Sequence, residues 1–116
     1  MPRPTKLPSL DESWDKALAV VAHPDDLESG TTSAVARWTS QGKGVVYLIA
    51  SKGEAGIDSL EPGKAGPLRV GEQINSARVV GVDTVEFLEH QDGVIEAGLP
   101  LRRDIARAIR RHRPDV

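Results

Sequence analysis

Ala17-Leu18-Ala19-Val20-Val21-Ala22, running straight into His23-Pro24-Asp25-Asp26-Leu27-Glu28, is the stretch that decides how the chain is read. An unbroken apolar run, without the polar alternation of a half-solvated strand, predicts a short strand buried on both faces. Such strands belong to parallel sheets covered by helices. Residues 45–50, Val-Val-Tyr-Leu-Ile-Ala, form a second run of this kind, and residues 85–88, Val-Glu-Phe-Leu, a shorter third. Helical spacing fills the intervals. Residues 30–41 carry Val35, Ala36 and Trp38 and stop at Gly42, with Gly30 expected to permit close packing behind the preceding loop. Residues 68–80 place Val70, Ile74 and Ala77 on one face before Gly81, a typical helix stop. Residues 100–112 place Leu101, Ile105 and Ile109 in one buried stripe, with Pro100 in the first turn.

The alternation of strand and helix predicts an α/β fold, a three-layer α/β/α arrangement with a parallel sheet and right-handed crossovers. Residues 1–16 read as an irregular leader whose end Trp14 anchors, and residues 17–116 as the domain. Residues 51–67, with Gly53, Gly56, Gly63, Gly66 and two prolines, read as one long loop of the kind that is more often functional than inert. Pro114-Asp115-Val116 looks like the start of a fourth strand, so the architecture is expected to be truncated after the third helix. A sheet left with an open edge favours self-association. Trp14, Trp38 and Tyr47 are expected to pack rather than to stack on a sugar.

Composition narrows the function. A chain of 116 residues holds one core. A formal charge of −2 gives no electrostatic case for nucleic acid. Six arginines between positions 102 and 113 (Arg102, Arg103, Arg107, Arg110, Arg111 and Arg113) are interrupted by Asp104 and read as a solvated helix face. The absence of cysteine excludes a disulfide framework and a thiolate zinc site. Met1-Pro2-Arg3-Pro4 is followed by no apolar signal segment, and no apolar run approaches the roughly 20 residues of a membrane span. The expectation is a soluble, cytoplasmic protein.

In an open parallel sheet, ligands bind beyond the C-terminal ends of the strands. That rule selects residues 23–28, 51–56 and 90–93, all rich in His, Asp, Glu and Gly. In the first loop, His23 offers an imidazole and Asp26 a carboxylate, both good zinc ligands. Pro24 stiffens the turn, and a spacing of three lets both side chains face one point. Asp25 projects differently, which leaves its carboxylate available to a water. A metal with an open position lowers the pKa of its water from about 15.7 toward about 7, and a neighbouring carboxylate can take the proton. The competing reading is a polar turn whose aspartates cap the following helix. Glu28 and Glu54 read as orienting groups or exposed acids. Arg69 reads either as a substrate group or as the partner of Glu72 in a helical ion pair.

Ala22-His23-Pro24-Asp25-Asp26-Leu27-Glu28 closely resembles the signature of the PIG-L/LmbE-like zinc-dependent N-deacetylase family. Gly53-Glu54-Ala55-Gly56 resembles that family's loop after the second strand, Arg69-Val70-Gly71-Glu72 its RxxE element, and His90-Gln91-Asp92-Gly93 its turn after the third strand. The resemblance implies a Rossmann-like fold and removal of an acyl group from an amide, commonly an N-acetylglucosaminyl conjugate. It implies Zn2+ as cofactor, with Fe2+ as the other divalent candidate. Carried over by position, His23 and Asp26 are metal ligands, Asp25 is the general base, and Arg69 and Asp92 contact a small amino-sugar conjugate. Members of the family take a third ligand, and a further histidine, from a downstream His-x-x-His-like element that this sequence does not contain. The expectation is half of an active site, completed by a complementary C-terminal segment, with His90 as the alternative third donor and His112 at the surface. Two other readings use the same residues. One is an amidase of thiol conjugates, the other a non-catalytic α/β module for interaction or assembly.

Overall fold

The computed structural model describes residues 6–28, 30–53 and 61–116. Six elements follow in alternation: β1 (Lys16–Val21), α1 (Thr32–Ser40), β2 (Gly44–Ile49), α2 (Pro62–Val79), β3 (Thr84–Phe87) and α3 (Leu99–His112). The strands form one parallel sheet in the order β1-β2-β3, with Ala19 opposite Tyr47 and Tyr47 opposite Val85. β2 is buried on both faces, as its unbroken apolar run requires, with Leu48 and Ile49 fully enclosed.

The two faces of the sheet are covered differently. Val45 and Tyr47 of β2 and Ala17 of β1 join Leu27, Val35 of α1, Ala77 of α2 and Val82 in the main core. Trp14 closes that core from the N-terminal side, edge-on to Trp38 with ring centroids 5.1 Å apart, so the expected anchoring holds. Residues 6–15 contain no helix or strand, and Arg37 ties them down through a paired contact with Glu12. α3 meets the opposite face, where Glu86 of β3 takes both Arg111 and His112. His112 is therefore a partner of the sheet and not a surface residue.

Beside β1, on the edge away from β2, Val116 donates to the carbonyl of Lys16 at 3.3 Å and accepts from the N–H of Leu18 at 2.9 Å. These two bonds flank Ala17 as rungs of a parallel ladder do. The Asp115 carboxylate accepts the N–H groups of Asp15 and Lys16, both at 2.9 Å. The C-terminal residues thus start a fourth position, giving a spatial order in which β1 lies between them and β2. The strand order reverses at β1, the switch point where ligands gather in doubly wound sheets.

Three further expectations need correction. α2 begins at Pro62, inside the stretch read as loop, and holds Pro67 within it. At the first helical position, Pro62 loses no hydrogen bond and has its φ already set; Pro67 lies deeper, where it forfeits the bond an N–H would make to the Gly63 carbonyl. α3 fully buries Ala108 and half-buries Leu101 and Ile105, whereas Ile109, expected in the same stripe, is 46% exposed; neighbouring helical positions point about 100° apart, and the small alanine lets the helix approach closely. A side chain at Gly30 would meet nothing within 4 Å among the described residues, so close packing against them does not explain that glycine.

Candidate active site

The loop after β1 is a tight turn whose geometry its own side chains set. Asp26 Oδ2 accepts the backbone N–H of His23 at 2.8 Å and lies 3.3 Å from His23 Nδ1. Both side chains are about two-fifths exposed. Asp25 has a positive φ of 74°, a left-handed conformation that costs a residue with a Cβ on the order of 1–2 kcal/mol and is tolerated best by Asp and Asn. The turn therefore sends Asp25 away from the His23–Asp26 pair, as the spacing predicted. Neither aspartate caps α1: its first residues are preceded by Thr31, which makes no side-chain cap, and Thr31 and Thr32 bond back to the Leu27 carbonyl. The reading of the turn as a helix cap has no support in this geometry.

α2 supplies the wall behind Asp25. Arg69 bonds the Pro24 carbonyl at 3.2 Å and lies 3.5 Å from Asp25 Oδ2. Glu72 faces solvent, so Arg69 turns to the loop and not to its helical neighbour. One turn on, the fully buried Gln73 accepts the N–H of Asp25 at 2.8 Å and donates to Glu28 Oε1 at 3.0 Å. Ser76 donates to the same Glu28 oxygen at 2.6 Å. Glu28 orients Gln73, an effect that bears on the turn and not directly on His23 or Asp26.

The loops after β2 and β3 close the site from the other side. Ser51 is buried and donates to the Ala22 carbonyl at 3.0 Å, locking the ends of β1 and β2 together. Gly53 has a φ of 65°, and a Cβ there would sit 2.4 Å from Arg69 Nε and 3.0 Å from Pro24 Cδ. The glycine is required by both the backbone and the space. Glu54 and Gly56 lie outside the described residues. After β3, the Asp92 side chain is only 7% exposed and places Oδ1 3.1 Å from His23 Nε2. Sequence reasoning assigns Asp92 to substrate; its carboxylate lies against the imidazole. His90, the alternative third donor, points elsewhere, with Nε2 2.7 Å from Asp104 of α3. Lys52, Leu88, Glu89, His90 and Gln91 line an adjoining cavity of about 260 Å³ at the ends of β2 and β3.

The donor set fits part of a zinc site. Two ligands about 2.0–2.1 Å from a tetrahedral zinc are about 3.3 Å apart, the spacing of His23 Nδ1 and Asp26 Oδ2. A carboxylate on the far ring nitrogen is the usual companion of a metal-binding histidine, since it fixes the tautomer and the ring. Among the described residues, no group of three His, Cys, Asp or Glu side chains is arranged to hold a metal ion.

The sequence profile of the family described as PIG-L, GlcNAc-PI de-N-acetylase, matches residues 18–116. This chain belongs to the PIG-L family. Among curated PIG-L relatives, the 1D-myo-inositol 2-acetamido-2-deoxy-alpha-D-glucopyranoside deacetylase of Kineococcus radiotolerans is 36% identical over 98 residues, covering 78% of this chain and 27% of that protein. The diacetylchitobiose deacetylase of Thermococcus kodakarensis is 29% identical over 103 residues, covering 87% of this chain and 39% of that protein. Among solved structures, the N,N'-diacetylchitobiose deacetylase of Pyrococcus horikoshii, complexed with its inhibitor, superposes with a TM-score of 0.85 at 26% identity, over 90% of this chain and 40% of that one. The 4-carboxy-2-hydroxymuconate hydratase GalB of Pseudomonas putida follows with a TM-score of 0.77 at 26% identity, over 86% and 44% of the two chains. The fold is thus the Rossmann-like α/β fold of these deacetylases, and the PIG-L chain in hand spans well under half the length of each relative. Within it, Gln73 and Ser76 are the site residues that sequence reasoning missed. Their spacing from Arg69, four and then three positions along one helix, is the signal that places all three on one face.

Proposed function

We propose that this chain carries the metal-binding half of a hydrolase that removes an acetyl group from the amide of a small N-acetylglucosaminyl conjugate. The observation that carries the reading is the pairing of His23 Nδ1 and Asp26 Oδ2 at 3.3 Å, with Asp25 turned out between them by its positive φ. The deacetylases among the relatives support the substrate class. His23 and Asp26 would hold a divalent metal, Zn2+ or Fe2+. Bound there, it would supply Lewis acidity, polarising a carbonyl and making water acidic enough to react near neutral pH.

The remaining work falls to the chain's own side chains. Asp25, half exposed at 53% of its side chain, takes a proton from the attacking water on its carboxylate. The water oxygen adds to the acyl carbon, the C–N bond breaks, and the proton held by Asp25 passes to the departing amine nitrogen. Acetate and a free amino sugar leave. Arg69 keeps the Asp25 carboxylate directed and presents its guanidinium toward sugar hydroxyls. Asp92 holds the His23 ring. The remaining length of the polypeptide, as seen in the relatives, would complete the site.

The hydratase GalB shares the fold, and hydration and amide hydrolysis both deliver an activated water to an unsaturated carbon. The test therefore reads acetate release from N-acetylglucosaminyl-inositol and from diacetylchitobiose. It uses a polypeptide carrying these residues together with the remaining length found in the relatives. Acetate release that falls at least 100-fold in Asp25→Asn supports the reading. No release from either substrate, or full activity in Asp25→Asn, contradicts it.

A further inference from the structure

We propose that Gln73 is a positioning residue for Asp25: its carboxamide, aligned by Glu28 and Ser76, holds the Asp25 backbone in the left-handed conformation that aims the carboxylate. The role rests on the reading of Asp25 as general base.

A carboxamide has one accepting and one donating end, and here the surroundings decide which is which. Glu28 Oε1 accepts from Ser76 Oγ at 2.6 Å and from Gln73 Nε2 at 3.0 Å. With its nitrogen committed to the carboxylate, Gln73 can present only its oxygen to the loop, where it takes the N–H of Asp25 at 2.8 Å. Gln73 is fully enclosed, so no solvent competes for either end. A buried amide that loses its partner is strongly disfavoured, which ties the conformation of Asp25 to the presence of this acceptor.

The consequence reaches the chemistry through direction. At a φ of 74°, Asp25 points its carboxylate to within 3.5 Å of the Arg69 guanidinium, while His23 and Asp26 face each other on the other side of the turn. A right-handed or extended Asp25 would redirect the chain between the two ligands and carry the carboxylate with it. Arg69 and Gln73 lie one turn apart on α2 and grip successive residues, the carbonyl of Pro24 and the N–H of Asp25. Arg69 restrains the carboxylate end, and Gln73 restrains the backbone from which it springs.

Amide hydrogen exchange by NMR on the 116-residue chain tests this without reference to activity. In the unaltered chain, the Asp25 amide should be protected although its side chain is half exposed. Gln73→Leu should speed exchange at Asp25 at least 10-fold and leave the amides of β2 unchanged. In Gln73→Glu/Glu28→Gln a carboxylate oxygen still accepts the Asp25 N–H, while the bond to position 28 reverses, the new amide nitrogen donating to the carboxylate at 73 and to Ser76 Oγ; this pair should restore protection even where Gln73→Leu folds poorly. In a catalytically complete polypeptide, Gln73→Leu should lower kcat at least 10-fold with KM and bound metal unchanged, and the double variant should recover most of it. Unchanged Asp25 exchange in Gln73→Leu overturns the proposal, as does a folded double variant with an unprotected Asp25. Failure of the unaltered polypeptide to release acetate would sink the deacetylase reading alone, and the exchange measurement would still decide the role of Gln73.

Discussion

His23 Nε2 and Asp92 Oδ1 lie 3.1 Å apart, joining the loop after β1 to the loop after β3 across the end of the sheet. In the Nε2–H tautomer, Asp92 accepts from the ring and the Nδ1 lone pair is left for a metal beside Asp26. Replacing Asp92 with alanine should free the ring and weaken metal binding roughly 10- to 100-fold, the usual effect of losing such a partner. Competition with a chromophoric zinc chelator, run on Asp92→Ala and the unaltered chain, gives the ratio directly.

Gly53→Ala should destabilise the chain by about 1–3 kcal/mol, because it meets two obstacles at once. The backbone φ of 65° is unfavourable for alanine, and its Cβ would fall 2.4 Å from Arg69 Nε. Urea denaturation measures the loss, and the guanidinium must move away from Pro24 and Asp25 to accommodate the methyl group.

Acid should loosen α3 from the sheet before it unfolds the core. The Glu86 carboxyl is held below its usual range, first by the hydrogen bond from Arg111 and then by that from His112, against an opposing effect of burial. A carboxyl with a depressed pKa in the folded state contributes stability that is present above its unfolded value, about 4.3. That contribution is lost as pH falls through the folded value. Between pH 6 and pH 3, the urea midpoint of the unaltered chain should therefore drop more than that of Glu86→Gln.

Leu48 is fully enclosed in β2, which is paired with β1 on one side and β3 on the other. Leu48→Ala should cost about 2–5 kcal/mol, as read by the same denaturation.

Much of this was legible in the sequence because local pattern and tertiary role coincide. The apolar run through Val21 sets a buried strand, and the polar turn behind it falls where a parallel sheet collects ligands. The choice and spacing of His23, Asp25 and Asp26 are local to one turn, whereas Asp92, Arg69 and Gln73, which hold that turn and its side chains, come from far along the chain. Residues whose roles depend on contacts far along the chain were not legible. Gln73 sits in the polar stretch Glu72-Gln73-Ile74-Asn75, which resembles a solvated helix face until Glu28 and Asp25 are brought against it. His112 and His90 find Glu86 and Asp104 only when α3 docks. The start of α2 was hidden by Pro62, Gly63, Gly66 and Pro67: their turn-forming character conceals that Pro62 suits the first helical position and that the helix runs on through Pro67.

Whether His23 and Asp26 together hold a metal is read by zinc titration of the 116-residue chain beside His23→Ala and Asp26→Ala. Binding to the unaltered chain should weaken at least 10-fold in each variant, with the far-ultraviolet circular dichroism of all three unchanged. Equal zinc affinity in the three folded proteins would contradict a metal held by His23 and Asp26.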